Sequence, residues 1–149
     1  MYQNTAYWVR IRKSIRLYEE MLHEVAQRHG LTGIETDIIS FLQHNPGKDT
    51  AMDIVKFRML SKGCVSKAVE SLIQKGLIKR EQDVQDRRKI HLHMLPTSKL
   101  VMADIEAVQE QFWKIIFHNF TEEEKKLYLQ YGERILQNVQ KVAERGTDR

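Results

Sequence analysis

The sequence has 149 residues, enough for one domain with a real core and cramped for two. No apolar run approaches the roughly 20 residues a membrane span needs, and Met1-Tyr2-Gln3-Asn4-Thr5 lacks the basic-then-apolar pattern of a secretory leader, so a soluble, cytoplasmic protein is expected. The net charge of +4 is unevenly spread: between Lys56 and Lys89 ten basic residues face four acidic ones, a balance of +6 that leaves −2 for the rest of the chain. Such a basic central third is the footprint of a polyanion-binding face, because neutralising phosphates releases counterions; a solvated charged surface gives the same composition.

Apolar residues Ile11, Ile15, Tyr18, Leu22 and Val25 recur at helical spacing and predict a first helix over about 8–29, closed by Gly30. Thr32 with Glu35 forms a capping box for a second, short helix carrying Ile34, Ile38, Ile39 and Leu42, which stops before Asn45-Pro46-Gly47. Thr50 with Asp53 is a weaker version of the same start, for a third helix over about 51–60. Ser61 is the N-cap of a fourth helix in which Val65, Val69 and Leu72 bury one side and Gly76 closes the end, leaving Lys62, Gly63, Ser66, Lys67 and Glu70 outward.

The period then changes. Stretches 77–81 and 89–94 read as two antiparallel strands joined by a basic loop, Gln82 to Arg88. Helical spacing resumes with Val101, Ile105, Val108 and Phe112, and a last helix opens at the Thr121 and Glu124 capping box with Leu127, Tyr131, Ile135, Val139 and Val142 as its stripe.

Two short helices followed at once by a basic hairpin are the sequence form of a winged helix-turn-helix. The expected fold is therefore mainly α with a small β-hairpin wing, a winged helix-turn-helix lobe over about 31–96 flanked by long helices over 1–30 and 97–149, in a single domain of 1–149. A helix fits the major groove of B-DNA while the hairpin loop reaches an adjacent groove. Ser61, Lys62, Ser66 and Lys67 are the residues expected at the DNA, with Gly63 permitting close backbone approach and the helix N-terminus attracting phosphate.

The run from Met59 to Arg80, with its closing Lys75-Gly76-Leu77-Ile78, resembles the recognition-helix signature of the MarR (multiple-antibiotic-resistance regulator) family, and Asp86-Arg87-Arg88 matches that family's Asp-x-Arg wing motif. Residue-level likeness is confined to roughly 54–92. The resemblance implies a homodimeric regulator, a repressor, with interleaved terminal helices, whose half-sites lie about 10 bp apart on a pseudo-palindrome of double-stranded DNA. It implies that Arg88 enters the minor groove, that Arg87 and Lys89 accompany it, and that Asp86 orients the wing by pairing with an arginine. It also implies release by a small effector molecule; Tyr7, Trp8, Tyr18, Phe112, Trp113 and Phe117 are either the lining of a cleft for it or, as such aromatics more often are, plain core and interface residues. Met94-Leu95-Pro96-Thr97-Ser98-Lys99 departs from the family's Leu-Thr-x-x-Gly at the junction after the second strand.

No phosphate loop, nucleophile elbow, His-Glu-x-x-His helix or carboxylate pair stands out, so an enzyme is not expected, nor a cofactor. Two sensing variants remain. His91 and His93 share a strand face and would chelate zinc only if further ligands converged; exposed polar surface is their ordinary role. Cys64 invites a redox reading at a helix start, against the commoner outcome of a cysteine packed beneath the helix. Terminal stripes that pack only on the central cluster, and a winged helix that binds protein instead of DNA, are the remaining alternatives.

Overall fold

In the computed structural model, residues 4–147 are described, so Met1 to Gln3, on which most of the leader reading falls, lie outside the described residues. Eight regular elements follow one another: α1 (Asn4–His29), α2 (Gly33–His44), α3 (Ala51–Arg58), α4 (Lys62–Gln74), β1 (Ile78–Gln82), β2 (Ile90–Met94), α5 (Lys99–Ile116) and α6 (Glu122–Thr147). This is the mainly helical winged-helix architecture expected from the sequence. No helix among the described residues is long and apolar enough to cross a membrane.

The chain divides into two compact units, residues 1–112 and 113–149. In the first, α1 ends where Gly30 adopts φ +65 and the next N–H, of Leu31, reaches the Ala26 carbonyl, a reversal that glycine makes without strain. Thr32 then caps α2 as expected, its Oγ1 accepting the Glu35 N–H while the Glu35 carboxylate accepts the Thr32 N–H. The same Glu35, only 2% exposed, also accepts from Lys75 Nζ at 2.8 Å. Lys75 Nζ donates to the Gly30 carbonyl as well, so one half-buried ion pair ties the ends of α1 and α4 to the start of α2. Burial alone would raise the Glu35 carboxyl; the bonds from Lys75 and Thr32 outweigh it and hold the group below its ordinary value.

Ile38, Ile39, Ile54, Val65, Leu72 and Ile105 form the centre of a core that α1 to α5 and both strands share. The Thr50 capping box is complete, with Asp53 answering both ways. However, α3 stops two residues before the expected Leu60, because Met59 turns left-handed at φ 54 and Ser61 must be extended to cap α4. The strands pair antiparallel with Ile78 opposite Met94 and Gln82 opposite Ile90, one residue later at each start than the periodicity predicts. The unusual junction after β2 is pinned by hydroxyls. Ser98, fully buried, donates from Oγ to the Leu95 carbonyl at 2.6 Å, Thr97 Oγ1 donates to the Gly76 carbonyl, and Pro96 opens a short 3-10 turn into α5.

In the second unit, Trp113, Phe117, Phe120 and Tyr128 form an aromatic cluster around the turn into α6, with Trp113 and Phe117 stacked at 5.4 Å. Thr121 and Glu124 close the capping box at the start of α6. Among its described residues α6 buries none, and Tyr131, Ile135, Val139 and Val142 are all more than half exposed.

Candidate nucleic-acid interface

Ser61 Oγ accepts the Cys64 N–H at 3.1 Å and so starts α4. From there the helix buries Val65, Ala68, Val69 and Leu72 against the core. That arrangement leaves Ser61, Lys62, Gly63, Ser66, Lys67 and Glu70 exposed along one edge. A Cβ built on Gly63 meets nothing within 4 Å, so nothing inside the protein requires glycine there. Cys64 is exposed as well, which corrects the expectation of a thiol packed under the helix. The reason is positional: in the first turn of α4 the inward-facing row begins only at Val65.

Glu70 pairs with Arg80 at 2.9 Å and links α4 to β1, setting the wing against the helix. Beyond the strands the loop is closed by the Asp83 N–H to the Lys89 carbonyl, the Lys89 N–H to the Asp86 carbonyl, and Gln82 Nε2 to the Arg87 carbonyl. Arg87, Arg88 and Lys89 are exposed, Arg88 to 95% of its side chain. Asp86 accepts the Arg88 N–H at 3.0 Å and lies 3.6 Å from Arg88 Nε. Among the described residues no carboxylate pairs with Lys62, Lys67, Arg87 or Lys89.

Sequence reasoning missed the groups that set the root of the wing. Asp83 Oδ1 accepts the backbone N–H of both Gln85 and Asp86 at 2.8 Å, an Asx-type turn, and its Oδ2 meets His91 Nε2 at 2.7 Å. The other ring nitrogen of His91 meets Asp49 Oδ1 at 2.6 Å, and the Asp49 carbonyl accepts the Leu92 N–H at 2.8 Å. These bonds, from Asp49 first and Asp83 second, raise the His91 imidazole above its ordinary value, and His91 in turn holds Asp83 far below the usual carboxylate range. His91 is therefore no idle surface histidine, whereas His93 pairs with Glu81 at 3.2 Å. An aspartate at a loop start was the available signal for Asp83; nothing local marked Asp49.

The aromatic residues expected to line an effector cleft fall into three pairs. Tyr7 meets Trp8 edge-on, and Tyr18 meets Phe112 at 5.1 Å in the first unit, while Trp113 and Phe117 stack in the second.

Residues 29–89 match the model of the MarR family. That span runs from the end of α1 through the wing loop, so the resemblance read from residues 54–92 is borne out there. The fold is similar to a MarR transcriptional regulator from Methanosarcina mazei, with 15% identity, a TM-score of 0.75, and 93% of this chain and 99% of that chain covered. It is similar also to MepR of S. aureus in a complex with DNA, at 16% identity and a TM-score of 0.69 with the same coverage. BpsR of Bordetella bronchiseptica, whose DNA binding is regulated by 6-hydroxynicotinic acid, aligns over 84% of this chain and 89% of its own at 17% identity and a TM-score of 0.62. No curated protein matches the sequence.

Proposed function

We propose that this protein is a homodimeric, sequence-specific regulator of transcription that binds double-stranded DNA and acts as a repressor. The observation that carries the reading is the exposed edge Ser61, Lys62, Gly63, Ser66 and Lys67 on a helix whose opposite side is core, with Arg87, Arg88 and Lys89 on a closed hairpin tied to that helix through Arg80 and Glu70. The helix edge suits the major groove. The projecting Arg88 suits a narrow minor groove, where negative potential concentrates. Asp86 orients Arg88, and the winged-helix lobe of about 31–96 does the reading.

Residues 1–30 and 97–149 supply the dimer. Trp8 and Ile15 on α1 and Tyr131, Ile135, Val139 and Val142 on α6 are more than half exposed in the single chain, and a second copy of the chain covers them. Two-fold pairing sets two recognition helices about one DNA turn apart, so the target is a pseudo-palindrome. MepR, of similar fold, forms a complex with DNA, and the DNA binding of BpsR, also of similar fold, is regulated by a small aromatic acid. By analogy a small molecule releases this protein from its site. An enzymatic role has no support from the site, which offers α4 and the wing as a reading surface.

Selection of bound duplexes from random sequence, followed by binding at graded salt, tests the reading. A recovered pseudo-palindrome whose affinity falls steeply with ionic strength supports it, because each neutralised phosphate releases counterions. A flat salt response, or no enriched sequence, sinks it.

A further inference from the structure

The root of the wing contains a side-chain arrangement that DNA contact alone does not explain. His91 and His93 alternate with the buried Leu92 on β2 and so face away from the core. Beside them lies a cavity of about 400 Å³ lined by Asp49, Glu81, Asp83, His91 and His93 together with residues of the wing loop. Those five are its titratable groups, and Asp53, in the first turn of α3, is already engaged in capping Thr50. No lysine or arginine lines the cavity.

The His91 ring is bonded at both edges, to Asp49 at 2.6 Å and to Asp83 at 2.7 Å. A neutral imidazole has one N–H and one lone pair, so it satisfies one carboxylate and turns a lone pair on the other; only the imidazolium donates to both. The two carboxylates sit at opposite edges of the ring and do not converge on one point, which separates this arrangement from a metal site; among the described residues no cluster of ligands suits a metal ion. Each carboxylate belongs to a different part of the lobe. Asp49 precedes the cap of α3 and holds β2 through the Leu92 N–H, while Asp83 organises the loop by accepting the Gln85 and Asp86 N–H groups. Asp86 in turn accepts the Arg88 N–H. A chain of bonds thus runs from the loop before α3, through one histidine, to the arginine at the wing.

Resting on the regulator reading above, we propose that His91 is the positioning residue of the wing, clasping Asp49 to Asp83 as an imidazolium so that DNA affinity falls when this histidine loses its proton. Loss of the proton has two effects of the same sign. One carboxylate lets go, so that Asp83 and the Arg88 it indirectly holds lose this tie to the helix-turn-helix. The group of Asp49, Glu81 and Asp83 also loses its cation and repels the phosphates. Both partners raise the proton affinity of His91, so the clasp is intact below the ordinary histidine value of 6.5 and is lost as pH rises through the elevated value. The side chain is 26% exposed, so its proton exchanges with solvent without unfolding.

The test uses the full chain and a fluorescent duplex of about 30 bp taken from the selection described above, which spans two half-sites. Anisotropy titrations from pH 6 to pH 9 at fixed ionic strength are compared for wild type, His91→Gln, His91→Arg and the control His93→Gln. Wild type and His93→Gln are expected to lose about tenfold more affinity across that range than His91→Gln, the lower part of what a groove-inserted arginine contributes. His91→Arg, a permanent cation, is expected to bind with a flattened profile. NMR titration of the His91 ring in the DNA-free protein, with Asp83→Asn beside it, stands independently of whether His91→Gln folds well: an elevated midpoint that falls in Asp83→Asn supports the clasp. Equal pH slopes in all four proteins, or a His91 midpoint at the ordinary value, overturn it while leaving the regulator reading intact. Absence of salt-dependent binding by wild type overturns both.

Discussion

The carboxylate of Asp86 accepts the backbone N–H of Arg88 at 3.0 Å and lies 3.6 Å from the Nε of the same arginine. That carboxylate therefore holds the base of the arginine, while the guanidinium remains in solvent at 95% side-chain exposure. An arginine so placed contributes almost nothing to folding and is available to a partner.

Replacing Arg88 with alanine is accordingly expected to leave thermal stability within about 0.5 kcal/mol of wild type, since no packing is lost. Its effect on duplex binding is expected to be a loss of about 1–3 kcal/mol. Lys67→Ala, on the helix edge, should instead weaken binding to all sequences and lower the salt slope by about one. Calorimetric melting beside anisotropy at three salt concentrations reads all of these. An Arg88→Ala protein that binds like wild type contradicts the placement of the wing on DNA.

Cys64 offers a chemical footprint of the same edge. It is exposed one residue before the inward row of α4 and between Gly63 and Ser66. Labelling with a bulky maleimide is expected to proceed readily in the free protein, to be slowed by bound duplex, and to abolish binding once complete. A labelled protein with undiminished affinity places the DNA elsewhere.

Glu35 makes a stability prediction with a defined pH direction. Its carboxyl is held below its ordinary value of 4.5 by Lys75 and Thr32 despite burial, so the stabilisation it supplies is present above that value and is lost as pH falls through the lower, folded one. Glu35→Ala is expected to destabilise by about 1–3 kcal/mol at neutral pH, less than a fully buried pair because Lys75, 37% exposed, reaches solvent when abandoned. Urea unfolding at pH 7 and pH 3.5 should show the gap between wild type and variant narrowing at the lower pH. A constant gap contradicts the assignment.

The exposed stripe on α6 tests the dimer. Ile135 and Val139 are 53% and 60% exposed in the single chain, so lysine at either position costs the monomer little. If a second copy covers them, Ile135→Lys buries an unpaired charge in the interface. Sedimentation at micromolar concentration is expected to give a dimer for wild type and a shift toward monomer for the variant; a monomeric wild type refutes the interface.

Much of this protein was legible in its sequence because the signals are local. Capping boxes at Thr32, Thr50 and Thr121, glycine at positions 30 and 76, and the row Val65, Val69 and Leu72 each act within a few residues of the chain, where hydrogen-bond geometry and periodicity leave little choice. The exposed edge of α4 follows from that row by elimination. What required the tertiary structure was every relationship across loops: the end of α3 at Arg58, forced by the turn into Ser61; the exposure of Cys64, set by where the core begins along α4; and the bridge from Asp49 through His91 to Asp83, which joins positions 42 and 8 residues apart. A side chain's partners depend on which segments packing brings together, and an aspartate or histidine carries no periodic signature of its own. The pattern of apolar residues thus determined the elements and their faces, and only the assembled lobe decided which polar groups meet.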